Sequence, residues 1–535
     1  MRWKNEIGLL VLSMILFLPF LGSVHLFDWD EINFAESARE MLITQNWFQV
    51  QINFEPFWEK PPLFFWMQVL SMKLFGINEY AARFPNAVAG IIAIQVMYAI
   101  GKKWHGTSFG IIWSLLYLGS FLPHLYFKSG IIDPWFNLFI FLSIYFLYLT
   151  IEHGQNKQHQ NAALAGVFSG LAILTKGPVG FLLLLLTFLV WWVFNRFKKP
   201  AKLSAILLFA SSTAIVSSFW FGYETLTNGP WFLVEFFNYQ LDLFLHPVAG
   251  HKQPFFYHFL VVLLGCFPLS VLALPAFSKR FNGDSFHLSR WMKYLFWVVM
   301  ILFTLVTTKI VHYSSMAYIP LSYLAALVVY RLIKDRNRLP NWQNIWLLIQ
   351  GSILAIAIGA VPIALMTKAR WSSMIQDEFA QGNLSVPVDV AGWEWIVGLL
   401  YLILVGYCFM ELRTNLRKGL SILLIGTAIV LFSTMRLVVP MIESISQRSA
   451  IEFFERQQGK AVYLKTYGYK SYAHYFYGRI QPENTHNMQD QKLTLSDKPI
   501  MISCKVNKEE KFKAKYPNAL RLSEKGGFVF YTIEN

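Results

Sequence analysis

Charge is scarce in this 535-residue chain: Asp, Glu, Lys and Arg together make up 14%, against roughly 25% in ordinary soluble domains. Apolar residues make up 55% and aromatics 17%, and the mean hydropathy is +0.42. A water-soluble fold cannot absorb that much apolar surface, and disordered, coiled-coil and collagen-like chains fail on the same numbers. Cysteine is rarer still. Cys266, Cys408 and Cys504 are too few and too scattered for a disulfide framework or a zinc site. There is no Walker loop, dinucleotide fingerprint, CxxC pair or G-x-S-x-G, so nucleotide chemistry has no visible support.

What the chain does have is long apolar runs. A membrane span needs roughly 20 mostly apolar residues, and about 13 such segments follow one another along the sequence. They begin at 8–26, pass through 135–152, 162–175, 178–196 and 257–276, and end at 419–437. The first follows Arg2 and Lys4 and looks like a signal peptide, but Phe27-Asp28-Trp29 is a poor cleavage site, so it reads as a retained span. The fifth and sixth share a turn at Lys176-Gly177-Pro178, where Gly and Pro break the helix. A shorter stretch at 62–75, after Pro61-Pro62, reads as a helix lying along the interface. The expected fold is an all-α polytopic membrane protein with a small C-terminal α/β domain.

The net charge of +15 would suggest nucleic acid in a soluble protein, but in a membrane protein it reports loop topology. With the N-terminus inside, the inner loops carry about 20 Lys/Arg and about 5 Asp/Glu, as positive-inside topology requires. Arg196-Phe197-Lys198-Lys199 and Lys334-Asp335-Arg336-Asn337-Arg338 are examples. This places the N-terminus in the cytoplasm and the C-terminus outside. Residues 1–437 form the membrane domain, with long outer segments at 27–80 and 223–256, and 438–535 form an extracytoplasmic domain. That tail has a helical stretch at 442–458 and strand-like runs at 461–465, 500–506 and 528–533. Its Tyr-rich stretch, Tyr467 to Tyr477, reads better as a packed surface than as a binding face.

The carboxylates gather outside. Asp30 and Glu31 stand just beyond the first span, where Asp30 can be an ordinary cap of a helix over 33–44 or a catalytic group. Asp133 precedes Pro134, a favourable helix start that can also face a cavity. Phe57-Trp58-Glu59-Lys60-Pro61-Pro62 sets an acid and a base among aromatics, either as an interfacial anchor or as a reach toward a lipid phosphate. A lone histidine is usually structural, but His251 beside an outer Glu could complete a nitrogen–oxygen site for a divalent cation. Lys309 and Tyr313, four apart, can offer a cation and a hydroxyl to one anion.

These motifs in this order resemble the undecaprenyl-phosphate aminoarabinose transferases, which group with the dolichyl-phosphate-mannose protein mannosyltransferases in the GT-C class of membrane glycosyltransferases. Asp30-Glu31 with Ala35-Glu36-Ser37-Ala38-Arg39-Glu40, Glu59-Lys60-Pro61-Pro62, Ala82-Arg83-Phe84-Pro85, Asp133, Thr175-Lys176-Gly177-Pro178 and Lys309 to Pro320 carry the likeness across residues 8–330. The resemblance implies inverting transfer of a sugar from a polyprenyl-phosphate donor to a lipid A-like lipid or glycan acceptor at the outer face. It implies Asp30 as catalytic base and Asp133 as a second acid. Glu59 and His251 would hold a divalent metal cation, and Lys60 and Tyr313 would bind the donor phosphate; the spacing of Lys309 to Tyr313 adds Lys309 to that phosphate site. One departure stands out: Asn33 occupies the place of an arginine in the family's pattern.

Other classes remain open at this point. The acceptor could be a protein hydroxyl, as in the mannosyltransferases. A transporter of polyprenyl-linked sugars should carry ionisable groups near mid-membrane, whereas these lie outside. A receptor-like envelope protein would tolerate loss of Asp30, Glu59 and Asp133.

Overall fold

The computed structural model describes residues 3–57, 59–153, 157–245, 253–278, 281, 287–485 and 496–534. The chain opens with α1 (Lys4–Phe17), α2 (Asp30–Thr44) and α3 (Leu63–Phe75), with a ribbon of β1 (Gln51–Ile52) and β2 (Glu55–Pro56) between the last two. The central run is α4 (Glu79–His105), α5 (Thr107–Leu118), α6 (Phe121–Tyr126), α7 (Asp133–Glu152), α8 (Gln158–Lys176), α9 (Val179–Phe194), α10 (Leu203–Asn228) and α11 (Trp231–Leu245). Next come α12 (Tyr257–Gly265), α13 (Leu269–Ala273), α14 (His287–Leu305), α15 (Tyr318–Lys334) and α16 (Asn341–Met366). Short α17 (Lys368–Trp371) and α18 (Glu378–Ser385) lead to α19 (Ile396–Thr414) and α20 (Leu416–Leu437).

Local signals set the helix ends. The Asn78 side chain accepts the Ala81 amide at 2.8 Å and starts α4. Pro134 stands in the first turn of α7, where its missing N–H costs nothing. Gly177 separates α8 from α9 at φ 89°, and a Cβ there would lie 2.5 Å from the Phe236 ring. Eight helices among the described residues are long and apolar enough to cross a membrane, or nine with one bent pair. α7 is largely enclosed by its neighbours, whereas α10 turns Leu207, Ile215, Phe219 and Leu226 outward. Apolar side chains left uncovered along a whole helix suit contact with lipid.

The structure corrects three readings of the sequence. The first span is shorter than 8–26: α1 ends at Phe17, because Pro19 follows and the chain turns away. At 14 residues, α1 is about 21 Å long, short of a full crossing. The 257–276 segment is not one rod but α12 and α13 with a following 3₁₀ turn, bent by 102° at the break before Pro268. Asp30 is not a cap. It is the first residue of α2, which starts three residues earlier than expected and has no side-chain cap hydrogen bond.

The C-terminal unit comprises α21 (Val439–Ser444), α22 (Arg448–Glu455), β3 (Tyr463–Tyr467), α23 (Ala473–Gly478), β4 (Ile500–Lys505), α24 (Glu509–Lys515), β5 (Leu520–Lys525) and β6 (Phe528–Ile533). Its sheet runs β3-β4-β6-β5, with β3 parallel to β4 and the other pairs antiparallel. The helical stretch read at 442–458 is two helices, and β5 is a strand with no counterpart among the expected runs. As an exposed edge, its Leu-Arg-Leu-Ser-Glu-Lys sequence carries no buried face to announce it. Gly526-Gly527, with φ 61° and 73°, closes the β5–β6 hairpin. The Tyr-rich stretch packs inward: Tyr472, Phe476 and Tyr477 are buried, and the Tyr477 hydroxyl accepts the Leu26 amide at 2.6 Å.

One buried ion pair joins the early segments. Arg83 donates Nε to Glu31 Oε1 at 2.9 Å and Nη2 to Oε2 at 2.7 Å, and also reaches the carbonyls of Leu21, Val24 and His25. Burial disfavours the Glu31 charge, but Arg83 and the amides of Phe27 and Gly130 hold its pKa below the usual carboxylate value. Breaking such a pair leaves a lone buried charge, at about 3–5 kcal/mol. Arg83→Leu should therefore lower the Tm of the detergent-solubilised protein substantially. Lys102→Leu, which breaks the exposed pair with Glu6, should leave it nearly unchanged, and thermal unfolding of the two variants side by side checks this.

Candidate active site

A cavity of about 1030 Å³ opens where the polar ends of several helices meet. Its charged lining comes from helix termini and the connections between them. Asp30 and Glu31 start α2, Glu59 and Lys60 precede α3, Asp133 starts α7, and Lys176 ends α8. His312 and Tyr313 stand in the 3₁₀ segment Val311–Ala317 before α15. Asp28, Arg83 and Lys128 also line it, and much of the remaining wall is apolar, with Leu182 and Leu185 of α9, Phe237 and Leu241 of α11, and Leu302 and Phe303 of α14. The cavity therefore has an ionic end and a hydrocarbon end.

At the ionic end, Asp30 and Asp133 converge on one imidazole. His312 Nε2 lies 3.2 Å from Asp30 Oδ2 and 3.9 Å from Asp133 Oδ2. Lys176 Nζ donates to Asp133 Oδ1 at 2.6 Å and stands over the Tyr313 ring, 5.1 Å from its centroid. Burial works against the Asp30 charge, but the hydrogen bond and charge of His312, with Lys60 and Lys176 behind it, hold its pKa below the ordinary carboxylate value. Asp30 is thus kept ionised and only weakly basic. For Lys60, burial outweighs the pull of Glu59 and Asp30 and lowers the pKa of its ammonium. Its Nζ also donates to the Glu59 carbonyl oxygen at 3.2 Å.

Of the residues singled out from sequence, Asp30, Asp133, Glu59, Lys60 and Tyr313 all line this cavity. Lys309 does not: its Nζ donates to the Val306 carbonyl oxygen at 2.6 Å, while Thr308, Ile310 and His312 around it line the wall. His251 lies outside the described residues. Among the described residues no three His, Cys, Asp or Glu side chains are grouped to hold a metal ion. Asn33, at the family's arginine position, is buried in α2 and lies outside the cavity lining.

Two groups were not singled out from the sequence. Lys176 sits in the Gly-Pro turn that marked the α8–α9 break, and a lysine ending an apolar helix reads as an anchor. His312 lies within the Lys309–Tyr313 string, where nothing in the spacing separates it from an ordinary structural histidine. Their partner, Asp133, is 43 and 179 residues away in sequence, so neither pairing is visible locally.

Comparison with known proteins bears on this arrangement. The sequence profile of the dolichyl-phosphate-mannose-protein mannosyltransferase family matches residues 59–220. Among curated relatives, the undecaprenyl phosphate-α-4-amino-4-deoxy-L-arabinose arabinosyl transferase 1 of Proteus mirabilis is 27% identical over 352 residues, 63% of this chain and 61% of that protein. The corresponding transferase of Aeromonas salmonicida is 25% identical over 394 residues, 73% of this chain and 71% of that one. The crystal structure of ArnT from Cupriavidus metallidurans bound to undecaprenyl phosphate superposes with a TM-score of 0.77 at 16% identity, covering 100% of this chain and 99% of that one. The fold is the ArnT fold. The resemblance to membrane glycosyltransferases read from the motifs therefore holds in sequence and in architecture. The match to the Proteus relative spans less than two thirds of that protein's length.

Proposed function

We propose that this protein is an integral membrane glycosyltransferase that moves a sugar from a polyprenyl-phosphate donor to a lipid A-like lipid or glycan of the cell envelope. The observation that carries this reading is the two-ended cavity. A phosphate-bearing lipid needs cations beside a hydrocarbon-compatible wall, and Lys60 and Lys176 stand at one end of a cavity whose other end is α9, α11 and α14. The relatives named for aminoarabinose transfer from undecaprenyl phosphate, and the family named for dolichyl-phosphate mannose, support the same donor class. The charged lining lies at helix ends rather than midway along spans, which favours an enzyme over a transporter.

Chemically, the acceptor oxygen attacks the anomeric carbon while the bond to the donor phosphate breaks, inverting the centre in a single displacement. Asp30 takes the acceptor proton. The departing phosphate gains charge, which Lys60 and the Tyr313 hydroxyl stabilise. Lys176 holds Asp133 in place. The reading includes a divalent cation bound by Glu59 and His251, which when present would neutralise phosphate charge; Glu59 lining the cavity supports it. It also includes about 13 membrane segments, with the catalytic end and the C-terminal unit outside the inner membrane. The charged groups that gather at the cavity come from the segments that the charge count assigns to the outside.

Three outcomes test this reading. With purified protein and a polyprenyl-phosphate sugar, Asp30→Asn should reduce turnover by about 10²- to 10⁴-fold while still binding donor lipid; near wild-type turnover would remove Asp30 from the mechanism. Glu59→Ala should lose the divalent metal found by elemental analysis of the wild type, and equal metal content in both would remove Glu59 as a ligand. For orientation, all three native thiols are buried, so Leu520→Cys on the exposed edge strand β5 is a clean reporter. An impermeant thiol reagent should label it on intact spheroplasts, and labelling only after permeabilisation would reverse the topology.

A further inference from the structure

The Asp30 carboxylate enters the cavity from the first turn of α2, where the helix backbone fixes its Cα. A general base must present one oxygen to the acceptor in a steady direction. Only 17% of the His312 side chain is exposed, and it lies between two carboxylates from different helices, 3.2 Å from one and 3.9 Å from the other. Asp133 Oδ1 is taken by Lys176, while its buried Oδ2 has no hydrogen-bond partner among the described residues and faces the same imidazole. Two carboxylates this close repel unless a cation stands between them.

Resting on the glycosyltransferase reading, we propose that His312 is a positioning residue of this site: its imidazole Nε2, set between Asp30 and Asp133, anchors Oδ2 of Asp30 and leaves Oδ1 turned to the acceptor. Other charged groups bear on the pair without replacing this contact. Lys60 and Lys176 act on Asp30 through space, and Asp28 is its close neighbour in the chain. Glu59, Asp30 and Asp133 bear on Tyr313, the residue next to His312. His258 of α12 is close enough to feel the charges of His312 and Lys309, and neither His258 nor Lys309 lines the cavity. His312 therefore acts through Asp30 and does not itself touch the transferred sugar. No bond to carbon is made or broken by it; the acceptor proton passes to Asp30 alone.

A charge removed from this position has a directional consequence. A carboxylate whose pKa is held low by a neighbouring cation stays ionised to lower pH, and loss of the cation raises the midpoint by about one to three pH units. His312→Gln keeps a neutral N–H donor and removes the charge. Its acid limb of kcat/KM should move up by that amount, with turnover recovering at higher pH, whereas His312→Lys should return the limb toward wild type. A merely structural role would lower activity equally at every pH. Titration of carboxyl-¹³C-aspartate protein by NMR, with the Asp30 signal assigned by its loss in Asp30→Asn, reads the same midpoint without any substrate. A raised Asp30 midpoint in His312→Gln supports the proposal, and an unchanged midpoint overturns it. Absence of transfer by the wild type would overturn the glycosyltransferase reading instead, and the NMR titration would still decide the role of His312.

Discussion

The site hangs on the Glu31–Arg83 pair. Arg83 sits in the first turns of α4, and its guanidinium gathers the carbonyls that follow α1 while gripping the carboxylate at the start of α2. Glu31 in turn accepts the Gly130 amide at 2.5 Å. One side-chain pair therefore fixes the chain on both sides of the cavity: Asp30 is the residue before Glu31, and Asp133 follows Gly130 by three. The chain near Lys128 is held by the same region, since its side-chain Nζ donates to the carbonyls of Phe17, the last residue of α1, and of Pro19 just after it. These bonds satisfy backbone groups that the early termination of α1 leaves without helical partners.

Around that anchor charges of both signs stand close together. Carboxylates from α2 and α7 are each matched by a cation from another element, so the ionic end is densely charged without being strongly one-signed. The matching is uneven. Asp133 is tied to Lys176 at 2.6 Å, while Asp30 keeps only the longer contact to His312 and remains open to the cavity. The C-terminal unit closes onto the same region through Tyr477 on Leu26, Arg39 on the Ile480 carbonyl and Arg479 on the Ile77 carbonyl. Lys470 stands 4.5 Å from the Trp29 ring centroid, beside Asp30 in the chain.

Much of the site could be read without coordinates. Asp30, Glu59, Lys60, Asp133 and Tyr313 stood out because charged or hydroxyl groups at the ends of apolar runs are costly unless they have work or partners. Lys309 had the same local signature yet folds onto its own backbone, because a lysine next to a free carbonyl can satisfy itself within one turn. His312 and Lys176 escaped for the opposite reason: their meaning lies in partners that only the packed bundle brings near. The break at Pro268 and the early end of α1 escaped because hydropathy averages over a window and does not register where the backbone turns.

The sequence by itself determined that this is a polytopic membrane chain, where its apolar segments lie, that a small mixed domain follows them, and which motifs align with membrane glycosyltransferases. Those follow from composition and short-range pattern, since burial in lipid acts on every residue of a span and leaves a signal within about 20 residues. The tertiary structure decided which charges meet: His312 between Asp30 and Asp133, Lys176 on Asp133, and Arg83 on Glu31. Electrostatic pairing acts over a few ångströms of space and is indifferent to distance along the chain, so contacts between residues 43 to 282 positions apart leave no periodic trace in the sequence.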